Sequence, residues 1–114
     1  MKNTIPIQFI MEMENIAPNR MYERYGIEYA STFLQKMTGL MFRKDFKGKM
    51  VFRFSRSCSI FVHTFFMRFD IRINFYSENR LIKACNMKPW QIVTIRNVDC
   101  FTEEKMSFDT SEKP

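Results

Sequence analysis

Four arginines are the side chains whose type and spacing point most directly to chemistry. A guanidinium group binds phosphate or carboxylate through two parallel hydrogen bonds. These arginines fall on outward positions of predicted strands or in nearby loops, so they would form an anion site if they converge. The alternative is a set of separate surface charges interleaved with core residues. The candidate anion-binding residues are Arg43, Arg53, Arg68 and Arg72.

His63 is the only histidine in the chain. Because histidine titrates near neutral pH, it could act as acid or base in an enzyme that holds a small anion with Arg68 or Arg72. The alternative is a structural histidine bonded to backbone or to Thr64. Trp90 either lines the mouth of a pocket or fills the end of a hairpin. The candidate pocket residues are therefore His63, Thr64 and Trp90, and no residue is assigned as catalytic.

Three cysteines and His63 match the number of ligands in a structural zinc site, but their spacing argues against one. Such sites use close pairs such as Cys-x-x-Cys, whereas Cys58 and His63 fall on opposite faces of a regular strand. We therefore predict no bound metal and no cofactor. Free thiols in a reducing compartment are expected at Cys58, Cys85 and Cys100.

The charge of the chain is positive and unevenly distributed. The net charge is +6, and residues 20–72 carry eleven Lys and Arg against four Asp and Glu. Such a basic excess attracts a small anion, an acidic partner or, less favoured here, nucleic acid. The alternative is a solvated basic face with no partner.

Length and hydropathy indicate one domain outside the membrane. The chain has 114 residues, and no apolar run approaches the roughly 18 residues of a membrane span. No secretory signal is visible at the N-terminus, so we expect a cytoplasmic protein. The expected organisation is an N-terminal extension with one strand at 1–25, a single β-rich domain at 26–101 and a polar tail at 102–114.

Periodicity predicts more strands than helices. Apolar residues at helical spacing, followed by Gly39 as a C-terminal cap, predict a helix over 32–38. Alternating residues predict antiparallel strands, two of them joined by a turn at 77–79. The expected fold is α+β and β-dominated, a small antiparallel barrel-like sandwich with one short helix. Its predicted strands are 5–11, 50–55, 60–62, 69–76, 81–85 and 92–95, with a further strand end at 27–30.

Two sequence blocks resemble one known family. The first is Gly-Leu-Met-Phe-Arg at 39–43, followed by the alternating segment 50–54. The second is His-Thr-Phe-Phe-Met-Arg-Phe-Asp-Ile at 63–71, followed by Pro-Trp at 89–90. In this order they are similar to the motifs of the domain of unknown function 192 (DUF192) family, over residues 30–90. The resemblance implies a small β-rich barrel-like sandwich with one short helix alongside, and it implies no activity, cofactor or catalytic residue.

Three features depart from the family pattern. Lys36 stands where the family usually has Arg, and Arg72 stands where it usually has Asp, with Asp70 two positions earlier. An ion pair made by that Asp would be rewired or absent here. The segment 91–114 is polar and lacks glycine, so we expect the closing strands to be missing or replaced by residues 1–25.

These observations leave three hypotheses of function. The leading hypothesis is a non-catalytic binding or accessory domain with a basic, anion-attracting face. The second is an enzyme that acts on a small anionic substrate with His63 as acid or base. The third is a homodimer formed through an exposed edge strand at 5–11 or 92–95.

Overall fold

The computed structural model describes residues 6–30 and 39–106. Two short helices precede five strands in chain order. The helices are α1 (Ile7–Met13) and α2 (Pro18–Tyr25), and the strands are β1 (Ile27–Ala30), β2 (Lys49–His63), β3 (Ile71–Ser77), β4 (Arg80–Met87) and β5 (Ile92–Lys105). The β-dominated α+β fold is therefore confirmed. The predicted helix at 32–38 lies outside the described residues.

The strands form one open sheet in the order β1-β2-β5-β3-β4. The pairing is antiparallel except between β1 and β2, which run parallel, so the sheet is mixed rather than wholly antiparallel. β2 is a single long strand that contains both segments predicted at 50–55 and 60–62. Its pairing with β5 shifts register between Arg53 and Ile60, where an irregularity interrupts the alternation.

Local chemistry explains several element ends. Pro18 starts α2, where its missing N–H costs nothing, and Gly26 ends the helix with a left-handed φ of 69°. Gly48, directly before β2, lies so close to Gly26 that a Cβ at position 48 would clash with the Gly26 carbonyl oxygen, so only glycine fits there. The predicted hairpin is confirmed: β3 and β4 are joined at Glu78 and Asn79, and both residues have positive φ, as a type I′ two-residue loop requires.

The strand predicted at 5–11 is wrong over its described part, which forms α1. Ile7, Ile10 and Met11 lie at helical spacing, and they pack with Met21 and Tyr29 over one face of the sheet. The dimer hypothesis therefore has no edge strand at 7–11. Residues 92–95 pair with β2 along one side.

The first part of the polar tail expected at 102–114 instead belongs to β5, which continues to Lys105. Thr102 and Glu103 are buried, because this part of β5 lies between β2 and β3 and pairs with both strands.

The larger hydrophobic core covers the sheet face opposite α1 and α2, with Phe52, Phe75 and Phe101 near its centre. Among the described residues, no helix is long and apolar enough to cross a membrane.

Candidate functional site

Aromatic side chains gather where β2 ends and meets three neighbouring loops. Ring centroids lie 4.5 Å apart for His63 and Phe65, 5.4 Å for Phe65 and Trp90, and 4.7 Å for Trp90 and Phe66. The series continues at both ends, to Phe61 beside His63 and to Phe42 beside Phe66. We call this group the aromatic surface; its members are Phe42, Phe61, His63, Phe65, Phe66 and Trp90.

Most of the aromatic surface faces solvent. The exposed fractions are 61% for Phe42, 57% for Phe61, 60% for Trp90 and 45% for Phe66. Burying such a side chain stabilises a fold by roughly 1.5–3 kcal/mol, so leaving four of them exposed forgoes a large gain. Contiguous exposed apolar groups of this kind are typical of interaction sites.

The backbone under the aromatic surface adopts uncommon conformations. Phe42, Phe66 and Trp90 have φ of 67°, 63° and 66°, in the left-handed region that bulky residues rarely occupy. Each such residue costs on the order of 1–3 kcal/mol, and the rest of the structure must supply it. A hydrogen bond from the Phe42 N–H to the Phe66 carbonyl oxygen, at 3.0 Å, joins two of these strained loops.

Thr64 supplies much of that support. Its hydroxyl donates to the Lys88 carbonyl oxygen at 2.6 Å and accepts from the Gln91 N–H at 2.8 Å. Its carbonyl oxygen accepts from the backbone N–H groups of Met67 and Trp90. Thr64 is fully buried, so it positions the loops that carry the rings and does not itself face a ligand.

The His63 ring is hydrogen-bonded to backbone, which agrees with the alternative that His63 is a structural histidine. Its Nδ1 accepts a hydrogen bond from the Phe65 N–H at 3.1 Å, so the proton of the neutral ring sits on Nε2. The ring is half-buried and lines a small cavity. Of the three predicted pocket residues, His63 lines this cavity, whereas Thr64 holds the adjoining loops and Trp90 belongs to the aromatic surface.

The same cavity contains the carboxyl group of Glu103, which is not among the predicted site residues. Glu103 is only 5% exposed, and its Oε1 has no hydrogen-bond partner. Burial raises the pKa of Glu103 to about 8. The cavity has a volume of about 60 Å³ and is also lined by Phe52, Phe61 and Phe101. We call it the Glu103 cavity.

A signal for Glu103 existed in the sequence. Phe101 and Glu103 continue the alternation of a strand, which places them on the same face. The polar neighbours of this segment instead favour a tail at 102–114, in which Glu103 would lie in solvent.

Three of the four candidate arginines have acceptors on different elements. Arg43 makes two hydrogen bonds to the Glu28 carboxylate on β1, at 2.9 and 3.1 Å, and these bonds raise the pKa of Arg43. Arg53 contacts the Glu14 carboxylate beside α1, at 3.5 Å. These contacts do not gather the arginines around one shared group.

The other two arginines differ in their surroundings. Arg72 donates to the Asn86 side chain on β4 at 3.3 Å, and Arg68 is exposed in the loop between β2 and β3. Arg68 follows Phe66 and Met67, so it is the candidate arginine closest in sequence to the rings of that loop. The convergence of all four arginines on one anion stays a prediction.

The cysteines do not lie together with His63 in a ligand set. Within residues 6–30 and 39–106, no three His, Cys, Asp or Glu side chains are grouped as a metal site requires. All three thiols are free, and burial raises the pKa of Cys100 to about 12.

Comparisons with known proteins give a family and a fold. The family model DUF192, described as an uncharacterized ACR, matches residues 8–107. A structure from Sinorhizobium meliloti 1021, described as a "putative transcription regulator", is similar with a TM-score of 0.64 and 19% identity, over 69% of this chain and 67% of that one. A protein of unknown function from Novosphingobium aromaticivorans DSM 12444 has a TM-score of 0.65 and 18% identity, over 71% of this chain and 63% of that one. No curated protein matches this chain.

Proposed function

Because this chain belongs to the DUF192 family, whose function is uncharacterised, we propose its role from its own geometry: it is a non-catalytic binding domain. Its aromatic surface receives an anionic ligand or an acidic partner. The observation that carries the proposal is the exposed series of rings, held in place by strained loops and by Thr64. Strain at a surface with no packing role is expected where the conformation serves binding.

Basic side chains in the loops that carry the rings support the preference for negative charge. Arg68 and Lys88 are exposed in the two loops that carry Phe66 and Trp90. Lys88 lies 3.5 Å from Asp70, yet three quarters of its side chain is exposed. The net charge of +6 adds a long-range attraction for anions, which salt weakens.

The alternative is an enzyme that acts on a small anion with His63 as acid or base. It requires an arginine beside His63, and no arginine lines the Glu103 cavity among the described residues. The Nδ1 of His63 is also engaged by backbone, which leaves only Nε2 for proton transfer. The binding domain is therefore the better supported role. Its free thiols support a place in a reducing compartment such as the cytoplasm.

Two dyes of similar shape test the proposal. The anionic 8-anilinonaphthalene-1-sulfonate and the uncharged N-phenyl-1-naphthylamine both carry ring systems that suit the aromatic surface. Trp90 is the only tryptophan, so energy transfer from Trp90 reports a dye bound nearby. We expect the anionic dye to bind more tightly, and added salt to weaken that dye alone.

Three variants locate the binding. Phe66→Ala should weaken both dyes, and Arg68→Gln should weaken the anionic dye alone. Leu81→Ala is the control, because Leu81 is also an exposed apolar residue, at 56% against 45% for Phe66, but lies at the far end of β4. Dye affinities that do not change with Phe66→Ala would contradict the proposed surface. A charge preference that Arg68→Gln leaves intact would contradict the assigned role of the loop cation.

A further inference from the structure

The Glu103 cavity is a built site on the core side of the aromatic surface. Phe52 and Phe101 are stacked with centroids 4.4 Å apart and line it, and Phe61 and His63 line it from the end of β2. A volume of about 60 Å³ exceeds what one water needs and suits a small polar group.

One oxygen of the buried carboxyl group in this cavity lacks a hydrogen-bond donor. The Oε1 of Glu103 accepts no hydrogen bond, and its cross-strand neighbours, Met50 on β2 and Ile73 on β3, have no donor in their side chains. Gly39 leaves the oxygen uncovered, because a Cβ at that position would lie 3.2 Å from Oε1. An uncompensated buried polar group is costly, so this oxygen is a position where a ligand donor would be stabilised.

The charged residues that follow Glu103 in sequence have other partners. Glu104 lies 3.9 Å from Lys49, and Lys105 donates to Asp45. Of the described residues that line the cavity, His63 is the only other one with a titratable side chain. The cavity therefore combines one carboxyl group with aromatic walls and contains no arginine or lysine among these residues.

We propose that the Glu103 cavity binds the protonated head of an organic amine, with the Glu103 carboxylate as counter-ion and the aromatic rings as walls. Aromatic rings and a carboxylate are the groups that stabilise a partly desolvated ammonium, through cation–π attraction and a charge-assisted hydrogen bond. Among the described residues that line the cavity, an anion would meet the carboxylate and no arginine or lysine. This inference goes beyond the proposed function, because it concerns a cavity beneath the aromatic surface, with which it shares Phe61 and His63, and a ligand of the opposite charge.

Binding of an ammonium is linked to loss of the Glu103 proton. With its pKa at about 8, Glu103 is mostly protonated at pH 7 when the cavity is empty. The ammonium favours the ionised form, so binding at pH 7 releases close to one proton. Affinity therefore rises by up to about tenfold per pH unit between pH 6 and pH 8 and levels off above that range. His63 also lines the cavity from β2, so the pH dependence is measured in a His63→Gln variant as well, which should keep the dependence caused by Glu103.

The test compares 2-phenylethylamine with 2-phenylethanol, which has the same shape and no charge. Titrations of the full chain are followed by amide chemical shifts, and proton release by calorimetry in two buffers of different ionisation enthalpy. We expect the amine to bind at least about tenfold more tightly than the alcohol at pH 8. The pH dependence of the unsubstituted protein gives a readout that needs no variant.

Glu103→Gln should bring the affinity for the amine down to that for the alcohol. Glu104→Gln is the matched control, since it removes a neighbouring carboxylate that pairs with Lys49, and it should leave the amine affinity unchanged. Phe61→Ala removes an exposed wall and should weaken the amine. Equal affinities for amine and alcohol, or an amine affinity that survives in folded Glu103→Gln, would overturn the proposal. Either result would leave the dye experiments on the aromatic surface unaffected.

Discussion

The backbone N–H of Trp90 donates a hydrogen bond to the carbonyl oxygen of Thr64, with 3.0 Å between the two atoms. This bond joins the loop after β2 to the turn between β4 and β5. The Thr64 hydroxyl makes two further bonds to the same turn. One buried threonine thus fixes the relative positions of Phe65, Phe66 and Trp90.

Thr64→Val should destabilise the protein by about 1–3 kcal/mol, because it leaves the Gln91 N–H and the Lys88 carbonyl oxygen without their buried partner. Thr64→Ser keeps the hydroxyl and is the matched control, with a smaller loss. Urea denaturation followed by Trp90 fluorescence measures both. Equal losses for the two variants would show that the hydroxyl bonds do not stabilise this turn.

Phe66→Gly should be more stable than Phe66→Ala by about 1 kcal/mol, because only glycine adopts the φ of 63° at this position without steric cost. Both variants lose the same ring contacts, so the difference in their free energies of unfolding isolates the backbone strain. The same pair at Phe61, which has no positive φ, should give the opposite order. An alanine variant at position 66 as stable as the glycine variant would argue against strain.

Stability should decrease as pH rises from about 5 to about 8, because burial raises the pKa of Glu103 from its usual 4.5 to about 8. Over this range the folded state holds a proton that the unfolded chain has lost. The stabilisation is complete below the unfolded pKa and is lost as pH rises through the folded pKa, with a slope up to about 1.4 kcal/mol per pH unit.

Glu103→Gln should flatten this dependence, since an amide does not titrate. Urea denaturation at several pH values compares this variant with Glu104→Gln, which should keep the slope. Parallel pH profiles for the unsubstituted protein and Glu103→Gln would rule out a titrating carboxyl group in the core.

The three thiols should react with iodoacetamide at different rates in the native protein. Cys100 is fully buried, and burial raises its pKa to about 12, so almost no thiolate forms at pH 8. Cys58 and Cys85 are half-buried, and burial raises the pKa of Cys85 as well. Mass spectrometry should find Cys58 labelled first and Cys100 labelled only after denaturation. Native labelling of Cys100 at the rate of Cys58 would contradict the placement of β5 at the centre of the sheet.

The features that the sequence predicted well are those that neighbouring residues determine. The turn at Glu78 and Asn79 follows from polar residues between two alternating segments, and the strand at β3 follows from alternation alone. The family resemblance rested on the same local patterns, and the match to residues 8–107 confirms it. Local patterns are readable because the dihedral preferences and side-chain period of a strand depend on nearby residues.

Ile7–Met13 illustrates the limit of such patterns. Its apolar residues fit both an alternating strand and one side of a short helix, and an isolated helix of seven residues has little stability of its own. The packing of Ile10 against Met21 and Tyr29 stabilises the helix, and these partners lie outside the segment itself.

The burial of Glu103 and the formation of the aromatic surface depend on the tertiary structure. A glutamate in a polar segment is expected in water, and only the pairing of β5 with both β2 and β3 encloses it. Phe42, Phe66 and Trp90 come together from three loops distant in sequence, through bonds centred on Thr64 and Phe66. The sequence therefore determined the alternation of strands such as β3 and the turn after it, whereas burial and the contacts between distant side chains depended on long-range pairing that no local preference encodes.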